Sequence, residues 1–343
     1  MSIERTRWGV LSDGTQVDMF TLTNKSGMEA SIATYGGTIT RLTVPDRTGT
    51  MGDVILGLES LEAYVADECY FGSLIGRVAN RIGHARFSLG GNLIELEKNC
   101  GEHHLHGGSM GFHRQVWDAE PMETEDGPGV LLRYTSPDQD QGYPGKVDCS
   151  AIYTLNDHGL RLDIAAVTDK PTVLNMTSHA YFNLSARPGA DCLAHELCIQ
   201  GSRTLAMDTE NIPTGRLTNV EGTQFDFTNE VPIGSRIPEQ GYDEYYVLDD
   251  IGPGLRLAAS VYEPVSGRAM EVWTTSPGVQ FYSGNHIPDL LPGKGGLMYC
   301  PRSGFCLETQ GFVDAPNHPE FPQVTLAPGQ EFLQTTLFNF FVK

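Results

Sequence analysis

Apolar and polar residues alternate along several stretches of the chain, most clearly at residues 160–166 and 255–261. Successive side chains on a strand point to opposite faces, so this alternation predicts strands with one buried face. The residues expected to face the interior are Leu160, Leu162, Ile164 and Ala166 in the first stretch and Leu255, Leu257, Ala259 and Val261 in the second.

Turn-forming residues separate apolar stretches at three places and predict hairpins. The turns are residues 90–92 (Gly-Gly-Asn), 265–268 (Val-Ser-Gly-Arg) and 327–330 (Ala-Pro-Gly-Gln). Glycine and asparagine tolerate the positive φ that tight turns require. We therefore expect pairing across each turn, and the last turn is expected to join Val324 and Leu326 to the apolar run 332–342.

Helical signals are few. Ser60 is a candidate N-cap for a short helix, with Glu62 in its first turn. Strands and helices do not alternate along the chain, so a parallel sheet is not expected. The predicted fold is all-β: residues 1–343 form a single domain, a large antiparallel β-sandwich with few short helices.

Composition excludes several classes of function. The chain has 343 residues and a formal net charge of -20, which disfavours nucleic acid and anionic membrane surfaces as partners. No stretch approaches the roughly 18 apolar residues of a membrane span. The seven cysteines form no C-x-x-C pair, so we expect reduced thiols in a cytoplasmic protein.

Residues 100–113 are the richest polar segment, and three hypotheses compete for it. His104 and His106 would share one face of a strand, as in a cupin-type metal site, although residues 107–112 supply no carboxylate. Residues 107–111 match G-x-S-x-G, a nucleophile motif that requires a following helix, for which there is little room. The third hypothesis is a lone imidazole, His106, that hydrogen-bonds a ligand at a glycine-rich bend.

Two further residues are candidates for acid/base chemistry. His179 lies among small polar and aromatic residues at 175–184, and it would also suit a core position on a strand. Glu308 ends an apolar stretch, where lost solvation raises the pKa of a carboxylate and suits a general base. An ordinary strand-end residue facing water is the alternative for Glu308. The residues alone do not show that these segments meet.

Several motifs occur together in a characteristic order. They are residues 76–82, 105–108, 111–112 with Trp117, 142–145, 175–184, 277–285 and 304–310. This ordered set spans nearly the whole chain and resembles the aldose 1-epimerase (galactose mutarotase) family. The resemblance implies a sandwich of antiparallel strands with a cleft for a pyranose, and an activity that interconverts the anomers of free aldoses.

The resemblance also implies roles for individual residues. Glu308 matches the general base, His179 matches the general acid, and His106 matches a second histidine near the ring oxygen. The positions that match sugar-hydroxyl ligands in the family are Asn80, Arg81, Asp243 and Gln280. No cofactor and no metal ion are expected. A monosaccharide is the expected partner, and the protein is expected to be a monomer or a homodimer.

The chain departs from the family pattern near the expected site. Glu244-Tyr245-Tyr246 follow Asp243 in place of His-Asn and an aromatic residue, and His113, Ser178 and Gly311 replace other common residues. The acid/base trio is intact, so these changes bear on the preferred sugar. The alternatives are a non-catalytic sugar-binding protein on the same fold and an epimerase for an unusual or modified sugar.

Overall fold

The computed structural model describes residues 1–187, 189–250 and 252–343. Within these ranges the chain is mostly strands, which form three larger sheets and five two-stranded ribbons. Neighbouring strands in the large sheets run antiparallel. The all-β sandwich with few short helices is therefore confirmed.

The three larger sheets contain most of the strands. From one edge to the other, the five-stranded sheet contains Ser2–Val10, Gln16–Thr23, Glu29–Ala33, Thr38–Pro45 and Met51–Asp53. In the same sense, the nine-stranded sheet contains Asp118–Glu123, Pro128–Ser136, Val147–Leu155, Gly159–Thr168, Phe332–Val342, Arg268–Thr274, Arg256–Tyr262, Glu196–Ile199 and Val231–Pro232. The six-stranded sheet contains Tyr181–Phe182, Phe305–Gln310, Gly278–Tyr282, Asp243–Val247, Arg203–Met207 and Pro213–Asn219.

Short ribbons and helices complete the fold. The ribbons pair Leu74–Ile75 with Thr177–Ser178, Arg81–Ile82 with His104–Leu105, Arg86–Leu89 with Asn92–Glu95, Thr172–Val173 with Thr325–Leu326, and Leu291–Pro292 with Met298–Tyr299. The helices are the α-helix Leu61–Val65 and the 3₁₀ turns Gly83–Ala85, Phe112–Arg114, Asp140–Gly142, Ile233–Arg236, Lys294–Gly296 and Ala315–Asn317. No helix of the described residues has the length and hydropathy needed to span a bilayer.

The predicted N-cap is present, because the backbone N–H of Ala63 donates to Ser60 Oγ at 3.3 Å. The predicted alternation at 160–166 is also confirmed. Its four apolar side chains are buried along the strand Gly159–Thr168. Local sequence signals were sufficient for both features.

The alternation predicted at 255–261 is wrong at its start. Leu255 precedes the strand Arg256–Tyr262 and is 41% exposed, whereas Ala258 is fully buried. A β-bulge between Leu257 and Ala259 adds one residue opposite the partner strand. The extra residue shifts the alternation, so that Ala258 and Ala259 are both buried.

Two of the three predicted hairpins are confirmed. Arg86–Leu89 pairs with Asn92–Glu95, and Arg256–Tyr262 pairs with Arg268–Thr274. The third is wrong, because both edges of Phe332–Val342 are taken by other strands of the nine-stranded sheet. Residues 325–326 pair elsewhere, with Thr172–Val173.

The inner faces of all three large sheets share one core. Phe20 and Ile32 enter it from the five-stranded sheet, and Leu162 from the nine-stranded sheet. Phe281 and Leu307 enter it from the six-stranded sheet. This packing leaves the opposite face of the six-stranded sheet free to bear polar side chains.

Candidate active site

Three neighbouring strands of the six-stranded sheet place Asp243, Gln280 and Glu308 on its outer face. Gln280 pairs directly with Glu308, and the strand that begins at Asp243 lies on the other side of Gln280. Because successive residues alternate between faces, Phe281, which follows Gln280, and Leu307, which precedes Glu308, point into the core. The polar face forms the floor of a cavity of about 320 Å³.

One wall of the cavity comes from the ribbon of Arg81–Ile82 and His104–Leu105. Just beyond the paired residues, Asn80 and His106 both have positive φ, at 64° and 53°. Gly107 follows, and a Cβ at this position would lie 1.9 Å from a backbone oxygen of the facing segment. Only glycine permits this close approach of the two segments.

Backbone contacts set the tautomer of His106. The backbone N–H of Asn80 donates to His106 Nδ1 at 3.2 Å, and the backbone N–H of His106 donates to the backbone carbonyl oxygen of Asn80 at 3.1 Å. A ring nitrogen that accepts a hydrogen bond has no proton, so the neutral imidazole has its proton on Nε2. Burial lowers the pKa of His106 well below its ordinary value. His106 therefore offers the cavity a neutral donor.

His179 and Glu308 lie next to each other in the cavity. Nε2 of His179 lies 3.7 Å from Oε1 of Glu308, and both residues are at least 95% buried. Burial raises the pKa of Glu308 well above its ordinary value; the charge of Asp243 adds to this rise, and Arg81 opposes it. Burial lowers the pKa of His179 to about 4. Both shifts favour the neutral forms, protonated Glu308 and neutral His179, over the ionised pair.

Asp243 is held by two neighbours. Gln280 Nε2 donates to Asp243 Oδ1 at 2.6 Å, and Arg81 Nη1 lies 3.8 Å from Asp243 Oδ2. Gln280 Oε1 and Glu308 Oε2 are buried and have no hydrogen-bond partner within the described parts of the chain. Buried polar atoms are normally paired, so these two oxygens are available as acceptors for the donors of a ligand.

All seven residues that the resemblance implies line this one cavity. They are His106, His179, Glu308, Asn80, Arg81, Asp243 and Gln280. The segments that supply them lie far apart in the sequence and meet only through the sheet and its adjoining ribbons.

Three aromatic residues of the cavity were missed by the sequence analysis. Tyr70, Tyr181 and Tyr282 line it, and the Tyr70 ring centroid lies 4.7 Å from that of His106 and 5.7 Å from that of His179. These rings limit the access of water to the imidazoles, which accounts for the lowered pKa values. Nothing in the local sequence pattern distinguishes them from core aromatics.

The cupin-type hypothesis, in which His104 and His106 share one face of a strand, is wrong. The strand ends at Leu105, and the positive φ of His106 breaks the alternation that would place both rings on one face. His104 Nδ1 instead lies 2.7 Å from the Glu97 carbonyl oxygen, with its ring edge-on to Tyr143.

The G-x-S-x-G match does not form a nucleophile elbow. Ser109 is exposed, and its backbone N–H donates to the side chain of Glu97. The motif is followed by the three-residue 3₁₀ turn Phe112–Arg114 in place of an α-helix. The strand–turn–helix context of that motif is therefore missing.

His106, His179 and Glu308 present donor atoms within 4.8 Å of one another, a set of residue types that also binds metal ions. A metal-bound imidazole normally donates its other N–H to an acceptor. The other nitrogen of His106 instead faces a donor, the backbone N–H of Asn80. The surroundings of His106 therefore fit a hydrogen-bond donor better than a metal ligand.

The residues that depart from the family pattern do not line the cavity. Glu244, Tyr245, His113 and Ser178 are not among the described residues that line it. Glu244 lies on the opposite face of its strand, where burial, followed by the charge of Asp243, raises its pKa to about 7. Any effect of these residues on sugar preference is therefore indirect.

Gly311 has a structural reason for its size. Its backbone N–H donates to Asn175 Oδ1 at 2.7 Å, and a Cβ would lie 2.9 Å from the side chain of Val324. The backbone of Asn175 also bonds that of Arg77 and Ala79. Asn175, which lies four residues before His179, thus connects its own segment to the one that leads to Asn80 and to the one that follows Glu308.

Comparisons with known proteins identify the family of the chain. Residues 18–339 match the sequence profile of the aldose 1-epimerase family. The chain is 40% identical to a galactose mutarotase of Rattus norvegicus, over 100% of this chain and 99% of the relative. It is 34% identical to an aldose 1-epimerase of Escherichia coli, over 96% of both proteins. The crystal structure of a GalM/aldose epimerase homologue from C. elegans superposes with a TM-score of 0.87, at 29% identity over 94% of this chain and 98% of that one. The chain belongs to the aldose 1-epimerase family.

Proposed function

We propose that the protein is an aldose 1-epimerase that interconverts the α and β anomers of a free aldopyranose such as galactose or glucose. The observation that supports this most directly is the buried pair of His179 Nε2 and Glu308 Oε1, 3.7 Å apart in one cavity. Relatives with the names galactose mutarotase and aldose 1-epimerase support the same activity. The volume of about 320 Å³ is at the lower end for small-molecule sites and suits one monosaccharide.

In the proposed mechanism, Glu308 removes the proton from the C1 hydroxyl. The electron pair of that O–H bond forms the C1 carbonyl, and the C1–O5 bond breaks with its electrons moving to O5. In the active form of the pair Glu308 is ionised and His179 carries the shared proton as an imidazolium. O5 takes the proton from Nε2 and leaves a neutral imidazole with its proton on Nδ1, so the sugar ring opens without net gain or loss of protons. Rotation about C1–C2 and the reverse steps close the ring from the other face and give the opposite anomer.

The remaining residues hold and orient the sugar. Nε2–H of His106 donates near the ring oxygen, where negative charge develops as the C1–O5 bond breaks. Arg81 and Asn80 offer donors for sugar hydroxyls, whereas Asp243 and Gln280 Oε1 offer acceptors. The donor-facing Nδ1 of His106 supports a metal-independent reaction.

Polarimetry of freshly dissolved sugars tests the proposed function. We expect the protein to accelerate the mutarotation of α-D-galactose and α-D-glucose well above the buffer rate, with xylose and arabinose compared in parallel. Binding of a sugar without acceleration of any of them would instead favour a non-catalytic sugar-binding protein. If the protein neither accelerates the mutarotation of any of these sugars nor binds any of them, an unusual or modified sugar would be tested next.

The enzyme-catalysed rate is expected to show a bell-shaped pH profile. The active pair shares one proton between Glu308 and His179. Below the pKa of about 4 of His179, both groups are protonated and the base is lost. Above the raised pKa of Glu308, the pair loses its proton and the acid is lost. Initial polarimetric rates corrected for the buffer rate at each pH would measure this profile, and a single rise centred at the ordinary pKa of a glutamate would contradict it.

We also propose that residues 1–343 act as one domain, whether the protein is a monomer or a homodimer. One chain supplies all the described lining residues of the cavity. A cytoplasmic location is proposed because all seven cysteines are free thiols, which suits a reducing compartment.

A further inference from the structure

Nδ1 of the proposed acid, His179, contacts a thiol. Cys306 Sγ lies 3.5 Å from this nitrogen, within hydrogen-bonding distance for sulfur. Cys306 is fully buried and precedes Glu308 by two residues, so both side chains project from the same face of the strand Phe305–Gln310. One strand therefore supplies both the proposed base and the neighbour of the proposed acid.

A thiol differs from the usual partners of a catalytic imidazole because it both donates and accepts. A carboxylate at Nδ1 stabilises the imidazolium form and so raises the pKa of the histidine. A thiol S–H can donate to a bare Nδ1, and its sulfur can accept from Nδ1–H of a neutral imidazole or of an imidazolium. Burial raises the pKa of Cys306 well above its ordinary value, so its S–H proton is retained.

We propose that Cys306 is a positioning residue whose sulfur accepts from Nδ1–H of His179, so that Nε2 of the ring is directed at the substrate. The proposal deepens the epimerase mechanism and rests on it. The acid of that mechanism must present a proton at Nε2 and take one back there during each turnover. A sulfur acceptor at Nδ1 holds the Nδ1 proton in both the imidazolium and the neutral ring, so the proton on Nε2 can leave and return without loss of the ring orientation.

The other groups around His179 do not supply this interaction. Those that face its ring are Glu308, which lies on the Nε2 side, and the rings of His106, Tyr70, Tyr181 and Tyr282. Among the side chains of the described residues, Cys306 Sγ is the polar atom that lies at Nδ1. The backbone of His179 itself also raises the pKa of the ring, by less than burial lowers it. The competing explanation is that Cys306 only fills space, as buried thiols commonly do.

Four variants separate positioning from packing. Cys306→Val and Cys306→Ala remove the hydrogen-bonding group with different volumes, so that at least one is expected to fold. Cys306→Ser keeps a group that donates and accepts. Cys149→Val is the matched control, because Cys149 is a buried thiol that faces the core on Val147–Leu155, away from the cavity.

The readouts are polarimetric kcat and KM for α-D-galactose and the ¹⁵N NMR shifts of the His179 ring nitrogens near pH 7. We expect Cys306→Val and Cys306→Ala to lower kcat about 3- to 10-fold at nearly constant KM, as loss of one hydrogen bond would. Proton occupancy is expected to shift from Nδ1 towards Nε2 in these two variants. Cys306→Ser is expected to restore both the kcat and the tautomer, and Cys149→Val to leave both unchanged.

The proposal is overturned if the tautomer is the same in wild type, Cys306→Val and Cys306→Ala, or if kcat is unchanged when the tautomer shifts. A loss of kcat that Cys306→Ser does not restore would assign Cys306 to packing and would overturn it as well. If the wild-type protein accelerates mutarotation of no aldose, the epimerase function fails. The NMR comparison still decides the role of Cys306 at Nδ1, because it does not require turnover.

Discussion

Replacing Glu308 with Gln is expected to lower the enzyme-catalysed rate of mutarotation by at least about 10²–10⁴-fold, the usual contribution of a general base. The amide has nearly the same shape but cannot remove the proton from the C1 hydroxyl. Gln280 pairs with Glu308 on the neighbouring strand and still occupies the cavity floor, so sugar binding should persist. Polarimetry at saturating sugar, with binding measured by calorimetry, separates the lost chemical step from a lost site.

Glu244→Gln is the matched control, because Glu244 is also a glutamate whose pKa burial raises, to about 7, but it lies outside the cavity. A folded-state pKa above the unfolded value means that stability is fully present below the unfolded pKa and is lost as pH rises through the folded pKa. Glutamine mimics the protonated form, so both variants should gain stability relative to wild type as pH rises above about 4.5. Only Glu308→Gln should lose activity; retained activity would remove Glu308 from the role of base.

Local patterns in the sequence predicted much of the fold because the forces that produce those patterns are local. Alternation along 160–166 and the Gly-Gly-Asn turn at 90–92 depend on residues that are neighbours in the chain, and both predictions were confirmed. The bulge at Ala258 and the partners of Phe332–Val342 depend on which strand lies alongside. A single sequence contains no direct signal for such pairings, and there the predictions were wrong.

The site could be predicted only through the resemblance to the family, because its residues also come together through strand pairing. Asp243, Gln280 and Glu308 lie on three different strands, and their proximity arises from the order of those strands in the six-stranded sheet. No spacing along the chain reveals that order. Cys306 shows the same limit, because its contact with His179 joins residues 127 positions apart and looks in the sequence like an ordinary buried thiol.

Arg77 anchors the segment that leads to Asn80 and Arg81. Its side chain is 1% exposed, although it is charged at neutral pH. The guanidinium donates to backbone oxygens of Ser136, Pro137 and Pro144 and to the hydroxyl of Ser136, at 2.7–3.1 Å. These contacts fix one strand end and two loops around a single buried cation, and none of them involves a residue that lines the cavity.

Replacing Arg77 with Met is expected to lower the free energy of unfolding by about 3–5 kcal/mol, because the change leaves several buried oxygens without their donor. Urea unfolding at 25 °C would measure the loss. Arg133→Met is the matched control: Arg133 is 51% exposed and pairs with Glu120, a surface ion pair worth about 0–1 kcal/mol. A loss for Arg77→Met no greater than for Arg133→Met would mean that water replaces the guanidinium at little cost. The buried cation would then not be what holds this segment in place beside the cavity.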